Sequence, residues 1–416
     1  MDLDNDALPV TLPDLGSDAL DAVTRHLSPM AVACLLRACK TLAAEAEPRC
    51  PAWAALRVAV KQDGWAAALK AMAEGGHLEA LLWVRAQGCL FDSETCRGAA
   101  KGGQLKTLQW LRGQSPPCPW GGGTCHAAAE GGHLEVLRWA RTQACDWFVG
   151  DLCRVAAKGG SLEVLQWLRT QSCPWGAETC ELLAEGGHLD ALRWAHAQSC
   201  PWDAETCRAA AKGGHLEVLQ WIRAQSPPCP WDWHTCEEAA KGGHIDVLRW
   251  ACAQTPPCPL HNPELMLIPG LESLMDEMGS LICAAAAECG QLEVLKFLRA
   301  QTPPTPWGEA TCKMAAEGGH LHVLRWLRAQ DPPCRWGTVA CSSSVSRGHL
   351  HVLQWLRAQV PPCPWDSKEC FEIALRGRRH DFIDWISEAD PVAMKPRSRT
   401  RQHFFGEGDS DHDSDD

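Results

Sequence analysis

From residue 65 to 390 the apolar positions fall into a two-part pattern that repeats. It is clearest in Asp203 to Gln225, DAETCRAAAKGGHLEVLQWIRAQ. The stretch Ala204 to Lys212 is rich in helix formers, follows an N-cap residue at Asp203 and stops at Gly213-Gly214, where a left-handed cap costs glycine little. A second helix is expected over His215 to Gln225. Its apolar residues, Leu216, Val218, Leu219, Trp221 and Ile222, form a stripe too broad for a free surface helix, so neighbours must cover it on both sides. Proline in Ser226 to Pro230 ends it, because proline lacks the backbone donor and restricts the residue before it.

The tryptophan of this block recurs at Trp83, Trp110, Trp139, Trp167, Trp194, Trp221, Trp250, Trp326, Trp355 and Trp385, with Phe297 in one place, at spacings of 27 to 30 residues. This gives eleven units. The exception is the 47-residue interval from Trp250 to Phe297, which leaves an insert at 260–280 rich in Leu and Met. Self-similarity at this period predicts an all-α solenoid of helix pairs, each burying its apolar face against its neighbours. With layers ~9 Å apart, eleven units would span about 100 Å.

Comparison of units within the one chain separates two sets of positions. The Gly pair, the Leu of the second helix and the Trp hardly change, as stacking requires. Change is concentrated two and three places after the Thr of the first helix. Arg208 and Ala209 in one unit become Glu181 and Leu182, Glu237 and Glu238, Lys313 and Met314, or Phe371 and Glu372 in others. The turn before that helix also varies, with Asp232, Trp233 and His234 against Gly121 to Gly123. Glu181, Arg208, Trp233, His234, Glu237, Glu238, Lys313 and Phe371 are therefore the candidate target-binding residues.

On Thr206, Ala210, Ala211, Gly214, His215, Leu216, Glu217 and Val218 the block resembles the ankyrin repeat over about residues 65–390. That family has a period of about 33 residues, and its Thr is normally followed by Pro-Leu-His, where Cys207 stands here. The resemblance implies helix pairs whose β-hairpin finger is shortened to a Cys-Pro-Trp turn. It is similar to the short Trp- and Cys-rich ankyrin-like repeats of some algae and large DNA viruses, which implies a host-interaction role if the source is viral.

Residues 9–50 carry another pattern: Leu12-Pro13, then Leu20, Val23 and Leu27 on one helix face, Ser28-Pro29 opening a second helix, and Leu36 and Cys39-Lys40 closing it. A segment of about 40 residues has too little core to stand alone. The layout resembles an F-box, a family that docks on a Skp-type adaptor of a cullin-RING ubiquitin ligase. The resemblance implies that Leu12, Pro13, Leu20, Leu27, Pro29, Leu36 and Cys39 supply adaptor-facing or core positions. The other reading is a capping helix pair that shields the first repeat. Residues 51–64 read as a connector.

Composition narrows the function. The formal net charge of −12 opposes a general nucleic-acid binder. No apolar run approaches the roughly 18 residues that span a bilayer, and no secretory signal pattern opens the chain. A cytoplasmic protein, monomeric outside its complex, is expected. The tail, 391–416, runs from basic Lys395, Arg397, Arg399 and Arg401 to six acidic residues between Glu407 and Asp416, and reads as disordered; its basic part suits a nuclear signal.

Three further rows bear on chemistry. Cysteines sit in the turn (Cys118, Cys173, Cys200, Cys229, Cys363) and seven residues later in the first helix (Cys125, Cys180, Cys207, Cys236, Cys370). That is not compact zinc spacing, so they read as packing groups, against a redox or metal sensor. Histidines after the glycines, with Gln104, Ser161 and Gln291 as substitutes, read as caps of the second helix. His320/His322 and His349/His351 are expected to point apart, since a helix turns about 200° over two residues. The Arg row at Arg112, Arg141, Arg169, Arg223, Arg299, Arg328 and Arg357 reads as a solvated face near helix C-termini. No phosphate loop, nucleophile elbow or paired-carboxylate motif stands out. A non-catalytic interaction protein with no cofactor and no metal is expected, either a ubiquitin-ligase substrate receptor or a scaffold with no ubiquitin link.

Overall fold

The computed structural model describes residues 67, 69–86, 90–145, 149–260 and 281–391, and is all-helical there, with no β-strand. The F-box-like segment 9–50, the connector, the 261–280 insert and the tail from 392 lie outside the described residues. The chain divides into two compact units, Met1–Asn262 and Pro263–Asp416. Each is a helical solenoid.

In the first unit α1 (Leu78–Ala86) is a second helix, followed by the pairs α2/α3 (Ser93–Lys101, Leu105–Arg112), α4/α5 (Gly122–Glu130, Leu134–Thr142), α6/α7 (Val149–Gly159, Leu162–Thr170), α8/α9 (Ala177–Glu185, Leu189–Ala197), α10/α11 (Ala204–Lys212, Leu216–Arg223) and α12/α13 (Trp233–Gly242, Ile245–Cys252). The second unit holds α14/α15 (Leu281–Glu288, Leu292–Arg299), α16/α17 (Glu309–Glu317, Leu321–Arg328), α18/α19 (Thr338–Arg347, Leu350–Arg357) and α20/α21 (Ser367–Arg376, His380–Ala389). Within each unit every first helix packs on the first helix before and after it, and each pair packs internally.

The first helices approach closely because their facing residues are small: Cys207, Ala210 and Ala211 are fully buried beside Val218, Leu219 and Ile222 of the second helix. Their N-termini are closed locally. Asp203 accepts from Glu205 N–H, and Thr206 accepts from Asp203 N–H, which puts threonine in the place a capping box usually gives to Glu or Gln.

The two glycines of the turn do different work. At the first, Gly213, a Cβ would lie 2.2 Å from the Glu185 carbonyl oxygen of the preceding first helix, so only glycine allows the two backbones to meet. The second, Gly214, has φ +73°, the left-handed region that ends a helix. His215 N–H then closes back on Ala210 C=O at 2.9 Å.

The residue after the glycines mostly does not cap the second helix through its side chain, contrary to expectation: His133, His188, His215, His244, His320 and His349 make no capping bond, whereas Ser161 caps, accepting from Val164 N–H. The ring instead reaches back one unit. His133 Nε2 bonds the Lys101 carbonyl at 2.9 Å and His244 Nε2 the Lys212 carbonyl at 3.0 Å, and Gln104 Nε2 reaches the Glu74 carbonyl at 3.4 Å. Histidine and glutamine interchange because both carry a donor at that reach. These carbonyls end a helix and have no partner within it.

The Cys-Pro-Trp turn makes a second seam. Cys118 uses all three of its polar groups: its N–H bonds Leu111 C=O, its S–H donates to Asp92 C=O at 3.1 Å, and its own carbonyl accepts from Arg112. Arg141 is exposed, but the other six members of the Arg row are clamps on the turn and not a solvated face. Arg169, Arg328 and Arg357 bond the turn carbonyl at 2.5 to 2.6 Å, Arg223 does the same, and Arg299 bonds Thr305 C=O at 2.9 Å. The guanidinium also lies over the turn Trp, from 3.9 Å for Arg328 on Trp336 to 4.6 Å for Arg357 on Trp365. That Trp meets the ladder Trp of the following second helix edge to face, as in Trp120–Trp139 and Trp231–Trp250 at 5.4 and 5.8 Å. Where His196 replaces the arginine, its ring stacks on Trp202 at 3.7 Å. Where an arginine closes a turn that holds tryptophan, the seam reads cation, indole, indole.

Candidate recognition surface

With the invariant rows committed to seams, the side chains left to differ lie along the first helices. Thr206 and Cys207 face the core, and the next two positions, Arg208 and Ala209, emerge half-buried at the rim before Ala210 and Ala211 turn inward again. The same order in α8, α12 and α16 places Glu181, Glu237, Glu238 and Lys313 half-buried on that rim, as is Phe371 in α20.

Six of the candidates form one patch over α8, α10 and α12. Arg208 bonds Glu205 Oε1 at 2.7 Å and crosses to Asp232 Oδ2 of the next unit at 3.2 Å, while its Nε is buried with no hydrogen-bond partner. Asp232 caps α12 by accepting from His234 N–H at 3.1 Å. The Trp233 and His234 rings lie 3.6 Å apart, and His234 Nδ1 meets Glu237 Oε2 at 2.9 Å. Lys241 bonds Glu237 at 3.0 Å and Glu238 at 2.8 Å; burial works to lower its pKa, but the two carboxylates prevail and hold it above the usual lysine value. Glu181 has the opposite setting. Burial, with the carboxylates of Asp203, Glu205 and Glu178, pushes its pKa up against the pull of Arg208. The patch therefore joins an aromatic knob to a salt-bridged strip and one destabilised carboxylate. Lys313 and Phe371 belong to the second unit, on helices separated by α18.

Further along the rim, ion pairs run from unit to unit. Lys158 meets Glu130 at 3.1 Å, Lys212 meets Glu185 at 2.8 Å, and in the second unit Arg347 meets Glu317 at 2.7 Å. Lysine and glutamate alternate on this row from Lys101 to Lys212.

His320 and His322 differ from the sequence expectation. Their ring centroids lie 5.8 Å apart and those of His349 and His351 6.1 Å apart, because His320 and His349 occupy N-cap positions outside the helical turn that would have separated them. His322 and His351 bond the Gly290 and Gly319 carbonyls at 3.1 and 3.3 Å, so all four rings lie on the seams. Among the described residues no three His, Cys, Asp or Glu side chains gather to hold a metal ion, and no helix is long and apolar enough to cross a membrane.

Sequence reasoning placed Asp232 in the variable turn but not opposite Arg208, and it missed His126. His126 stands in the variable row of α4, with its Nε2 buried and unbonded; its place two residues after Thr124 was the available signal. The adaptor candidates Leu12, Pro13, Leu20, Leu27, Pro29, Leu36 and Cys39 lie outside the described residues. No protein-family model matches the chain, and no curated protein matches it.

Proposed function

We propose that the chain is a non-catalytic interaction protein whose ankyrin-like helix pairs select a protein target through the first-helix rim, and whose F-box-like segment 9–50 brings that target to a Skp-type adaptor of a ubiquitin ligase. The supporting observation is the division of labour along the repeat. Positions constant between units are buried or hydrogen-bonded across seams, while those that differ share the half-buried rim. Binding specificity then resides in Glu181, Arg208, Trp233, His234, Glu237 and Glu238, with Lys313 and Phe371 in the second unit. Ubiquitin transfer belongs to the partner enzymes. No cofactor enters this reading.

The adaptor half rests on Leu12-Pro13, Leu20, Leu27, Pro29, Leu36 and Cys39 as sequence. Its test is a pull-down of the full chain with a purified Skp-type adaptor. Capture is expected, with at least a tenfold loss on Leu27→Asp. Absence of capture would reduce the function to a scaffold with no ubiquitin link, residues 9–50 then serving as the cap that a solenoid end requires.

A further inference from the structure

In the first unit each lysine or arginine of the row that holds Arg208 is spent on a carboxylate: Lys70 on Glu94 at 2.9 Å, Arg97 on Glu94 at 3.3 Å, Arg154 on Glu178 at 3.6 Å and Arg208 on Glu205 at 2.7 Å. The same row of the second unit reads Ala284, Lys313, Ser342 and Phe371. Lys313 makes no ion pair with any described residue. Both carboxylates one turn away on its own helix are engaged elsewhere, Glu317 by Arg347 at 2.7 Å and Glu309 against the Gly337 backbone.

Next to Lys313 the rim is hollowed. Helix α18 packs between α16 and α20, and it carries Ser342 and Ser343 where its neighbours carry Lys313 and Met314, or Phe371 and Glu372. The two serines are 8% and 7% exposed and form the floor. Lys313, Met314 and Phe371, all half-buried, are the walls, and Val339, 41% exposed, is an apolar lip. Layers ~9 Å apart put α16 and α20 about 18 Å apart, room for one segment of polypeptide between their side chains. Three serines of α18 return their hydroxyls to the helix, Ser342 to Val339 C=O, Ser344 to Cys341 C=O and Ser346 to Ser343 C=O. Ser343 does not. Its hydroxyl bonds no described residue and, not being enclosed, opens on the hollow.

We infer that this hollow binds the side-chain carboxylate of an acidic residue set beside bulky apolar residues in a segment of the target protein. The inference rests on the rim being the target surface and names what its second unit selects. The carboxylate accepts from the Lys313 ammonium and the Ser343 hydroxyl, the two donors here that the fold leaves unused. Met314, Val339 and Phe371 cover the apolar side chains that flank it. A phosphate is less well served, since it favours the arginine fork and Arg347 is already held by Glu317.

The experiment pans random linear peptides displayed on phage against the full chain and measures the selected peptides, made synthetically, by fluorescence anisotropy. They are expected to carry Asp or Glu beside bulky apolar residues, and changing that acid to its amide should weaken binding about tenfold. Lys313→Gln should cost about tenfold and Ser343→Ala about threefold, with helical circular dichroism unchanged. Ser343→Leu, which copies Leu182 and fills the hollow, should abolish binding, and Val360→Ser, at a turn residue 98% exposed, should change nothing. If Ser343→Leu abolishes binding while Lys313→Gln and Ser343→Ala do not weaken it, the rim remains the target surface and the carboxylate site is overturned. If no selected peptide responds to any of the three, the rim reading of the second unit falls as well. The proposal also fails if Lys313→Gln disperses a self-associated chain, since the hollow then holds a second copy. Should Ser343→Leu unfold the chain, Lys313→Gln and the amide variant of the peptide decide.

Discussion

In six units a single arginine closes the turn, and its replacement measures how much the turn contributes. Arg223 donates to the Cys229 carbonyl and lies 4.1 Å from the Trp231 ring. A charge-assisted hydrogen bond is worth about 1.5–3 kcal/mol and the cation–π contact about 0.5–2 kcal/mol. Arg223→Ala should therefore destabilise by roughly 2–3 kcal/mol, read from denaturant melts. Arg223→Lys should recover less than half of that, since the ammonium cannot reproduce the planar fork that bonds and stacks together. Glycines give a paired test. Gly213→Ala drives a Cβ onto a backbone oxygen and should cost ~1–3 kcal/mol. Gly123→Ala meets nothing within 4 Å and should stabilise by up to about 1 kcal/mol.

The helix pairs were legible in the sequence because apolar spacing, capping residues and glycine stops all agree within one unit. The partners across a seam were not. His133 looked like a cap because the sequence places it at the start of a helix, yet its bond goes to Lys101, 32 residues back. Arg112 looked solvated because the turn Trp that covers it belongs to the next unit. The His320/His322 contact failed the helical argument because His320 has ψ 75°, outside the helix. This element also carries a pH effect. Burial holds His320 below the usual histidine pKa, aided by His322 and His349 and opposed by the Glu288 carbonyl it bonds. A lowered folded pKa means that the unfolded chain takes up the proton more readily, so this contribution is present above about pH 6.5 and is lost as pH falls through it. Thermal melts at pH 7.5 and 5.5 should show a loss at low pH. His320→Gln, which copies Gln104 and Gln291, should reduce it.

Across each solenoid unit the same small set of contacts recurs, so stability is close to a sum over neighbouring seams and the rim is free to vary. Trp233→Ser and Lys313→Glu should shift stability by no more than about 0.5 kcal/mol, the usual range for surface changes, while altering which proteins are captured by proximity labelling in cells. If both variants unfold the chain and leave its interactions intact when folded, the rim is structural. At this scale the sequence specified the array and its rim positions, because differences between units are visible without a fold. It left the patch unread, since only the packing of α8, α10 and α12 brings Glu181, Arg208 and Trp233 together.

Turns of two lengths end on the same hydrogen bond: Cys118 N–H returns seven residues to Leu111 C=O, and Cys173 N–H returns five residues to Leu168 C=O. The linker absorbs the difference, and the junction it delivers is identical. A gene encoding such a chain can gain or drop whole modules by unequal recombination, since any copy can be spliced beside any other, and new specificities can arise by shuffling before a single codon changes.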